Sequence, residues 1–144
     1  MLREDPSLAG VVVTRPHTTT TPFDVTGLHE LPRVDIVYAY GGADGVLVDA
    51  ARAHGAAGLV LVGFGGGSYP QAFLDAGTRA VHAGVPVVLA TRALAGRVII
   101  TPRKAQDGFI VADDLLPQKA RILCMLALTR TRERQALQEM FYQY

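Results

Sequence analysis

The glycine-rich segment from Gly63 to Ser68 is the first stretch whose residue types could do chemistry. Glycine turns that join a strand to a helix expose backbone N–H groups, which can hold phosphate. The order G-F-G-G-G-S matches neither G-x-G-x-x-G nor a P-loop, and no lysine or acidic partner stands in the expected place. A tight, closely packed connection is therefore the favoured interpretation. A nucleotide-binding domain that uses this turn is the weaker alternative.

The four consecutive threonines Thr18 to Thr21 carry hydroxyl groups that are candidate nucleophiles. A catalytic hydroxyl needs a base within hydrogen-bonding distance or a freed α-amine beside it. His17 precedes the run, but neighbouring side chains on an extended chain point to opposite faces. We therefore predict a loop in which these hydroxyls bond the nearby backbone, with no catalytic residue among them.

The other chemically versatile residues are scattered. No two histidines stand four residues apart, as a helical metal pair would require. Asp113 and Asp114 are neighbours whose carboxylates diverge, which argues against a cooperating pair. We expect one of them to accept a hydrogen bond from a backbone N–H at the start of a helix. The single cysteine, Cys124, lies among apolar residues and is expected to act as a small hydrophobe. These patterns predict no metal site, no cofactor and no self-sufficient active site. The histidines are His17, His29, His54 and His82.

The composition bounds the class of protein. A chain of 144 residues with 49% hydrophobic and 19% charged residues fits one globular domain and not a disordered chain. A formal net charge of +1 gives no reason to expect nucleic acid or an anionic membrane as a partner. No apolar run is long enough to span a bilayer, and no leader follows Met1, so the chain as written is expected in the cytoplasm.

Residues 1–33 indicate an extended lead-in, or interdomain linker. The β-branched run 11–14 predicts an isolated strand. Pro16, Pro22 and Pro32 exclude a helix, because proline lacks the N–H group and restricts the residue before it.

Residues 34–144 alternate between strand and helix patterns, which predicts parallel strands with right-handed crossovers. We expect an α/β fold, a three-layer sandwich with about four parallel strands and helices on both faces. Residues 92–107 show little periodicity. The predicted strands are 34–40, 58–63, 86–91 and 108–111, and the predicted helices are 44–54 with Asp44 as N-cap, 70–83, one opened by Pro117 and one from about Arg134.

The last two predicted helices differ in pattern. Residues 122–128 are apolar nearly all round, so this helix should lie between two surfaces. The final helix has one apolar stripe, with its glutamines on the solvent side. We expect the arginines between the two helices to be solvated. The stripe is Leu137, Met140, Phe141 and Tyr144, the solvent side is Gln135, Gln138 and Glu139, and the arginines are Arg130, Arg132 and Arg134.

Several stretches, in this order over residues 10–144, resemble one known family. They are Thr21-Pro22-Phe23-Asp24-Val25, the run from Leu31 to Tyr38, Asp49-Ala50-Ala51, His54-Gly55, Gly58, the turn Gly63-x-Gly65-x-Gly67-Ser68, Thr91-Arg92, Pro117-Gln118-Lys119-Ala120-Arg121-Ile122-Leu123, the run from Leu126 to Thr131, and the closing Phe141-Tyr142-Gln143-Tyr144. Together they are similar to the carboxy-terminal domain of the bacterial L-asparaginase/glutaminase family.

The resemblance implies that catalysis and subunit packing belong to two different domains. In that family a larger amino-terminal domain carries a Thr-Gly-Gly-Thr segment and a Gly-Thr-Asp-Thr segment, which release ammonia from the side-chain amide through an acyl-enzyme. Neither motif occurs in these 144 residues. The carboxy-terminal domain packs subunits together and lends side chains to the edge of a neighbour's active site.

The sequence departs from the family at those lent positions. Gly41 and Gly42 follow Tyr40 where the family often has asparagine, so these three residues are the possible edge of a neighbour's site. Residues 97–107 hold Arg103-Lys104 and no glutamate. Leu116 replaces a capping asparagine, a change that costs about 1 kcal/mol.

The leading hypothesis is the carboxy-terminal domain of an asparagine amidohydrolase, inactive without the nucleophile domain. Its expected partners are itself, as a dimer or tetramer, and a separate amino-terminal domain. The alternative is a free-standing binding or oligomerisation module derived from such an enzyme.

Overall fold

The computed structural model describes residues 20–144, and the structural statements below concern this part of the chain. It contains four strands and five helices. In chain order they are β1 (Val34–Tyr38), α1 (Val46–Ala53), β2 (Gly58–Gly63), α2 (Gln71–His82), β3 (Val87–Thr91), α3 (Pro102–Gln106), β4 (Ile110–Val111), α4 (Pro117–Ala127) and α5 (Arg134–Gln143).

The strands form one parallel sheet in the order β1-β2-β3-β4. Every residue of β2 and β3 is buried, as expected for strands covered on both faces. The register places Ile36 beside Val60 and Val60 beside Val88.

Alternate strand residues point to the two helical layers. Val37 and Leu61 belong to the core beneath α1 and α2, which includes Phe73. Val60 belongs to the core beneath α4 and α5, which includes Phe141. The predicted three-layer α/β sandwich is therefore confirmed. None of the described helices combines the length and apolar character needed to cross a bilayer.

Helix α1 begins one residue later than the sequence predicts. Gly45 is its N-cap, at φ 88°, and a Cβ there would lie 2.6 Å from the Cβ of Ala76 on α2. Only glycine allows this backbone shape and the close approach of the two helices. Asp44 still accepts a hydrogen bond from the Val46 N–H at 3.0 Å.

The weakly periodic segment 92–107 contains a short helix that the periodicity misses. Thr101 is the N-cap of α3 and accepts a hydrogen bond from the Lys104 N–H at 3.4 Å, and Pro102 is the first helical residue. Five residues are too few to show an apolar period, whereas a hydroxyl followed by proline is a visible start signal.

Helix α4 was predicted to lie between two surfaces, and it packs against the sheet and against α5, although part of it stays exposed. Its sheet side is buried, including Leu123 and Cys124, but Ile122 is 48% exposed. The cap residue Leu116 makes no capping bond through its side chain. Asp113, one of the two aspartates considered for this helix start, is buried and forms an ion pair with the exposed Arg97.

Gln138 of α5 is buried, not solvated. Its Oε1 accepts from the Val111 N–H at 2.8 Å, and its Nε2 donates to the Val111 carbonyl at 3.2 Å. One amide side chain thus closes the outer edge of β4. Two of the arginines expected in solvent also bond the backbone, since Arg132 donates to the Ala57 carbonyl and Arg134 to that of Phe109.

Candidate functional site

Functional side chains of a parallel α/β sheet usually stand beyond the carboxyl ends of its strands. Here that edge is formed by the loops after β1, β2, β3 and β4. The residues predicted from the sequence as a site, Tyr40, Gly41 and Gly42, lie in the first of these loops.

The loop after β1 is exposed and small. Tyr40 is 54% exposed, and its carbonyl accepts a hydrogen bond from the Ala43 N–H at 3.0 Å. Gly42 has φ 81°, which a turn of this kind demands of its third residue. No atom lies within 4 Å of a Cβ built on Gly41 or Gly42, so a molecule facing this loop meets backbone and the Tyr40 ring.

Arg92 holds this loop to its neighbours. Its Nη2 donates to the Ala39 carbonyl, and its Nε donates to the Gly63 carbonyl at 3.3 Å. The guanidinium carbon lies 4.3 Å from the ring centre of Phe64 and 5.7 Å from that of Tyr38. These contacts are cation–π interactions, which favour arginine over lysine at a stacked position. One side chain therefore ties together the carboxyl ends of β1, β2 and β3.

The glycine turn after β2 is packed closely against its surroundings. Phe64 and Ser68 pair across it, with the Phe64 N–H donating to the Ser68 carbonyl at 2.9 Å. A Cβ on Gly63 would lie 2.4 Å from that same carbonyl oxygen. Lys104 approaches from α3, and its ammonium group donates to the Gly67 carbonyl at 2.5 Å. Partial burial lowers the pKa of Lys104. The lysine thus binds the turn, and the geometry agrees with a tight connection.

The loop after β4 contributes an ion pair to the carboxyl edge. Asp113 is 6% exposed and has φ 57°, a left-handed backbone shape that aspartate tolerates better than most residues. Its Oδ1 lies 3.0 Å from the Nε of Arg97. Its carbonyl accepts from the Val98 N–H, so this aspartate fastens the loop after β3 to the end of β4.

The other hydroxyl and thiol candidates are engaged in structure. Thr18 and Thr19, with His17, lie outside the described residues. Thr21 accepts a hydrogen bond from the Phe23 N–H at 3.4 Å, in the local pattern that we expected. Burial raises the pKa of the Cys124 thiol to about 12. Thr91, 5% exposed, accepts from the Ala93 N–H at 3.1 Å.

Within residues 20–144, no three histidine, cysteine or carboxylate side chains converge as metal ligands would. His54 bonds the Ala50 carbonyl at the end of α1, and His29 lies in the lead-in. The cations of the carboxyl edge are engaged within the protein, since Arg92 and Lys104 bond carbonyls and Arg97 pairs with Asp113. The edge therefore offers an exposed aromatic ring and backbone groups, which can line one side of a bound molecule.

Comparison with known proteins explains this arrangement. Residues 33–141 match the family model described as the Glutaminase/Asparaginase C-terminal domain. The chain belongs to this family. The resemblance read from the sequence is thereby confirmed.

Relatives of the Glutaminase/Asparaginase C-terminal domain include complete enzymes. The chain is 43% identical to L-asparaginase 2 of Bacillus subtilis over 92% of its own length and 35% of that protein. It is 39% identical to L-asparaginase 2 of Escherichia coli over 90% of its length and 38% of the enzyme. The chain therefore spans little more than a third of these relatives.

A solved structure gives the same result for this C-terminal domain. The probable cytoplasmic L-asparaginase from Campylobacter jejuni superposes with a TM-score of 0.87 and 42% identity. The match covers 92% of this chain and 44% of that one. The parallel sheet and its helices are thus shared with an asparaginase.

Part of this edge was predictable from the sequence. Tyr40, Gly41 and Gly42 were predicted through the resemblance, and Arg92 carried a signal only as half of the Thr91-Arg92 pair. The bracing role of Arg92 has no sequence signal, because its carbonyl partners lie 29 and 53 residues away.

Proposed function

We propose that this chain serves an asparaginase-type amidohydrolase as the domain that builds one wall of a composite active site and part of the subunit contacts. The reaction would be hydrolysis of L-asparagine to L-aspartate and ammonia. The observation that carries the proposal is the family match over residues 33–141 in a chain that spans 35% of a complete L-asparaginase.

The geometry supports a wall and not a centre of chemistry. Nucleophile activation requires a hydroxyl, a base and oxyanion donors held together. Thr21 and Thr91 bond the local backbone, and Cys124 is buried with a raised pKa. The loop at Tyr40, Gly41 and Gly42 is exposed and can face a substrate held by another domain.

Two further roles follow from this proposal. Residues 1–33 would be the lead-in that connects residues 34–144 to the nucleophile domain. The partners would be that domain and further copies of this chain, in a dimer or tetramer. A free-standing assembly module is the rival, because it needs the same surfaces but no substrate.

Ammonia release tests the proposal. The chain alone should give no ammonia from asparagine or glutamine. Joined to the amino-terminal part of the Bacillus subtilis relative, in place of that enzyme's own carboxy-terminal domain, it should support turnover. Two chimera variants then test whether the loop faces the substrate. Gly41→Trp, at a glycine with open space around it, should impair turnover. His82→Trp, at an exposed residue where α2 ends and so at the opposite edge of the sheet, is its control and should not.

The results discriminate clearly. Enzyme-like turnover by the chain alone would overturn the assigned role. A folded chimera without activity would favour the assembly module. Equal loss of activity in the two tryptophan variants would remove the Tyr40–Gly42 loop from the site.

A cytoplasmic location is part of the same proposal. It is supported by the structural neighbour from Campylobacter jejuni, which is itself named a probable cytoplasmic L-asparaginase. Cell fractionation of the native host tests it, and recovery in a periplasmic or secreted fraction would overturn it.

A further inference from the structure

The lead-in contacts the body of the domain through one side chain. Of residues 20–30, only Phe23 is partly buried, and the others are exposed. Its ring packs against the core beneath α4 and α5. The ring centre lies 5.3 Å from that of Tyr144, the C-cap of α5, and the two ring planes are inclined at 59°. Aromatic pairs favour separations and tilts of this kind.

The exposed neighbours of Phe23 show that this segment does more than cover the core. Val25 is 48% exposed and Leu28 is 46% exposed, although both are apolar. A segment that served only to cover apolar surface would bury these side chains as well, because each buried side chain adds stability. Attachment through a single ring is instead the pattern of an anchor.

Local bonds hold the backbone on both sides of Phe23. Thr21 accepts a hydrogen bond from the Phe23 N–H at 3.4 Å, and proline fixes the φ angle of the intervening residue, Pro22. Asp24 accepts from the Thr26 N–H at 2.8 Å, and hydrogen bonds from Thr26 lower the pKa of this carboxyl. The ring is therefore presented by a segment with few backbone shapes.

The other ring of the pair is held by α5. The Tyr144 N–H donates to the Met140 carbonyl at 2.9 Å. Leu137 and Phe141 of the same helix are buried against the sheet. Tyr144 packs on the same core as Phe23. The anchor thus joins the lead-in to a helix that is itself fixed on the sheet.

We propose that the Phe23–Tyr144 pair, called the clamp below, fixes how the lead-in joins this domain and thereby positions the Tyr40–Gly42 loop against the nucleophile domain. This inference rests on the wall role and on the lead-in role proposed above. Phe23 precedes β1 and Tyr144 follows α5, so neither belongs to the loops of the carboxyl edge. They are positioning residues and not catalytic ones.

The slack that the clamp removes is large on the scale of a binding site. If Phe23 were released, the chain from Asp24 to Arg33 would be a free linker with a root-mean-square reach of roughly 17 Å. A displacement of about 1 Å in an active site is enough to impair turnover. A wall carried on the other side of this linker therefore needs an anchor close to its own domain.

Chymotrypsin, which cleaves after aromatic residues, tests the clamp on the full chain. Cleavage between Phe23 and Asp24 requires that the ring leave Tyr144, so its rate follows the released fraction. Tyr144→Ala should raise this rate roughly three- to tenfold, the effect of one aromatic pair on an equilibrium. Tyr144→Phe keeps the ring and should be cleaved like the wild type.

Two controls separate release of the clamp from loss of the fold. Gln143→Ala changes an exposed residue beside Tyr144 and should leave cleavage after Phe23 unchanged. Cleavage after Phe109, which is fully buried beneath α1 and α2, reports global unfolding. If Tyr144→Ala speeds both cleavages, Tyr144→Leu, which keeps apolar bulk, replaces it. Wild-type cleavage after Phe23 in a folded variant that lacks the Tyr144 ring would overturn the clamp.

The kinetics of the chimera test the positioning role. Tyr144→Ala should raise KM for asparagine severalfold and leave kcat within about twofold, because fewer molecules hold the wall in the binding-competent position. An enzyme that is merely destabilised would lose active molecules, and therefore kcat, at an unchanged KM. Tyr144→Phe should retain the KM of the unaltered chimera. Release of Phe23 without a change in KM would overturn the positioning role.

Failure of the clamp and failure of the proposed function give different results. A folded chimera without turnover refutes the wall role, and with it the positioning of the Tyr40–Gly42 loop. Cleavage after Phe23 still decides the clamp in that case, because it is measured on this chain without substrate.

Discussion

Replacing Gln138 with alanine would remove the partner of both outward-facing groups of β4. Gln138 is 9% exposed and Val111 is 1% exposed, so water has little access to the groups left behind. The side-chain amide makes a donor bond and an acceptor bond to the same residue, at 3.2 and 2.8 Å. It thus replaces the strand that would continue the sheet.

The cost follows from these two bonds. A buried backbone group left unpaired costs about 1–3 kcal/mol, so two such groups cost about 2–5 kcal/mol after partial hydration. A domain of this kind is stable by about 5–15 kcal/mol, so the loss is a large part of the total. Gln138→Leu should lose nearly as much, since filling the space does not restore the hydrogen bonds.

Urea unfolding followed by circular dichroism measures this loss. Gln135→Ala is the matched control, because Gln135 is exposed on the same helix and its side chain bonds only Glu139. It should change stability by less than about 0.5 kcal/mol. If Gln138→Ala lies within that same range, amide closure of the β4 edge contributes nothing and the reasoning fails.

Gln138→Glu extends the test through pH. Burial and the facing Val111 carbonyl should raise the pKa of the introduced carboxyl above its unfolded value of about 4.3. Its protonated form can donate to the carbonyl as the amide does, so the folded state binds the extra proton. The stability of this variant should therefore be greatest near pH 4 and fall as pH rises toward neutrality. If the stability of Gln138→Glu relative to wild type is the same near pH 4 and at neutral pH, the hydrogen bonding assigned to this position is contradicted.

Three further outcomes are expected. Arg92→Met should destabilise the chain by about 1–2 kcal/mol and speed amide exchange at Ala43, whereas unchanged exchange there would refute the bracing role. Cys124 should resist alkylation at pH 8 until urea unfolds the protein, because its pKa is raised to about 12; fast labelling of the folded chain would disprove its burial. Hydrogen bonds from the N–H groups of Gln135 and Ala136 lower the pKa of Glu133, so its stabilisation is present at neutral pH and lost on acidification. Glu133→Ala should reduce the loss of unfolding free energy on acidification. An unchanged pH dependence would contradict the role of the Glu133 side chain as the N-cap of α5.

The buried layers of the sheet were predictable because their signal is local. The apolar run of β2 matches the predicted residues 58–63, and glycines mark the ends of α1 and α2 near Gly55 and Gly84. Each of these residues reports its own environment through type and spacing. Strand–helix alternation then leaves few topologies open.

What could not be predicted depends on distant partners. A helical wheel assigns Gln138 to solvent because the wheel does not contain the β4 edge, 27 residues away. Either Asp113 or Asp114 was expected to accept at a helix start, because the approach of Arg97 to Asp113 leaves no sequence signal. The same limit applies to the site: Tyr40, Gly41 and Gly42 came from a resemblance, and only the fold shows that Arg92 holds their loop.

The sequential strand order has a consequence for how this domain evolves. In open parallel sheets, ligands bind where two adjacent connections depart in opposite directions and leave a crevice between them. The order β1-β2-β3-β4 has no such reversal among the described strands, so the strand order by itself creates no crevice at the carboxyl edge. A surface without a crevice can line one side of a bound molecule but cannot enclose it. The rest of an enclosed pocket must come from a second domain or subunit. Residues such as Gly41 can therefore be exchanged for other types while the hydrophobic layers beneath them stay intact.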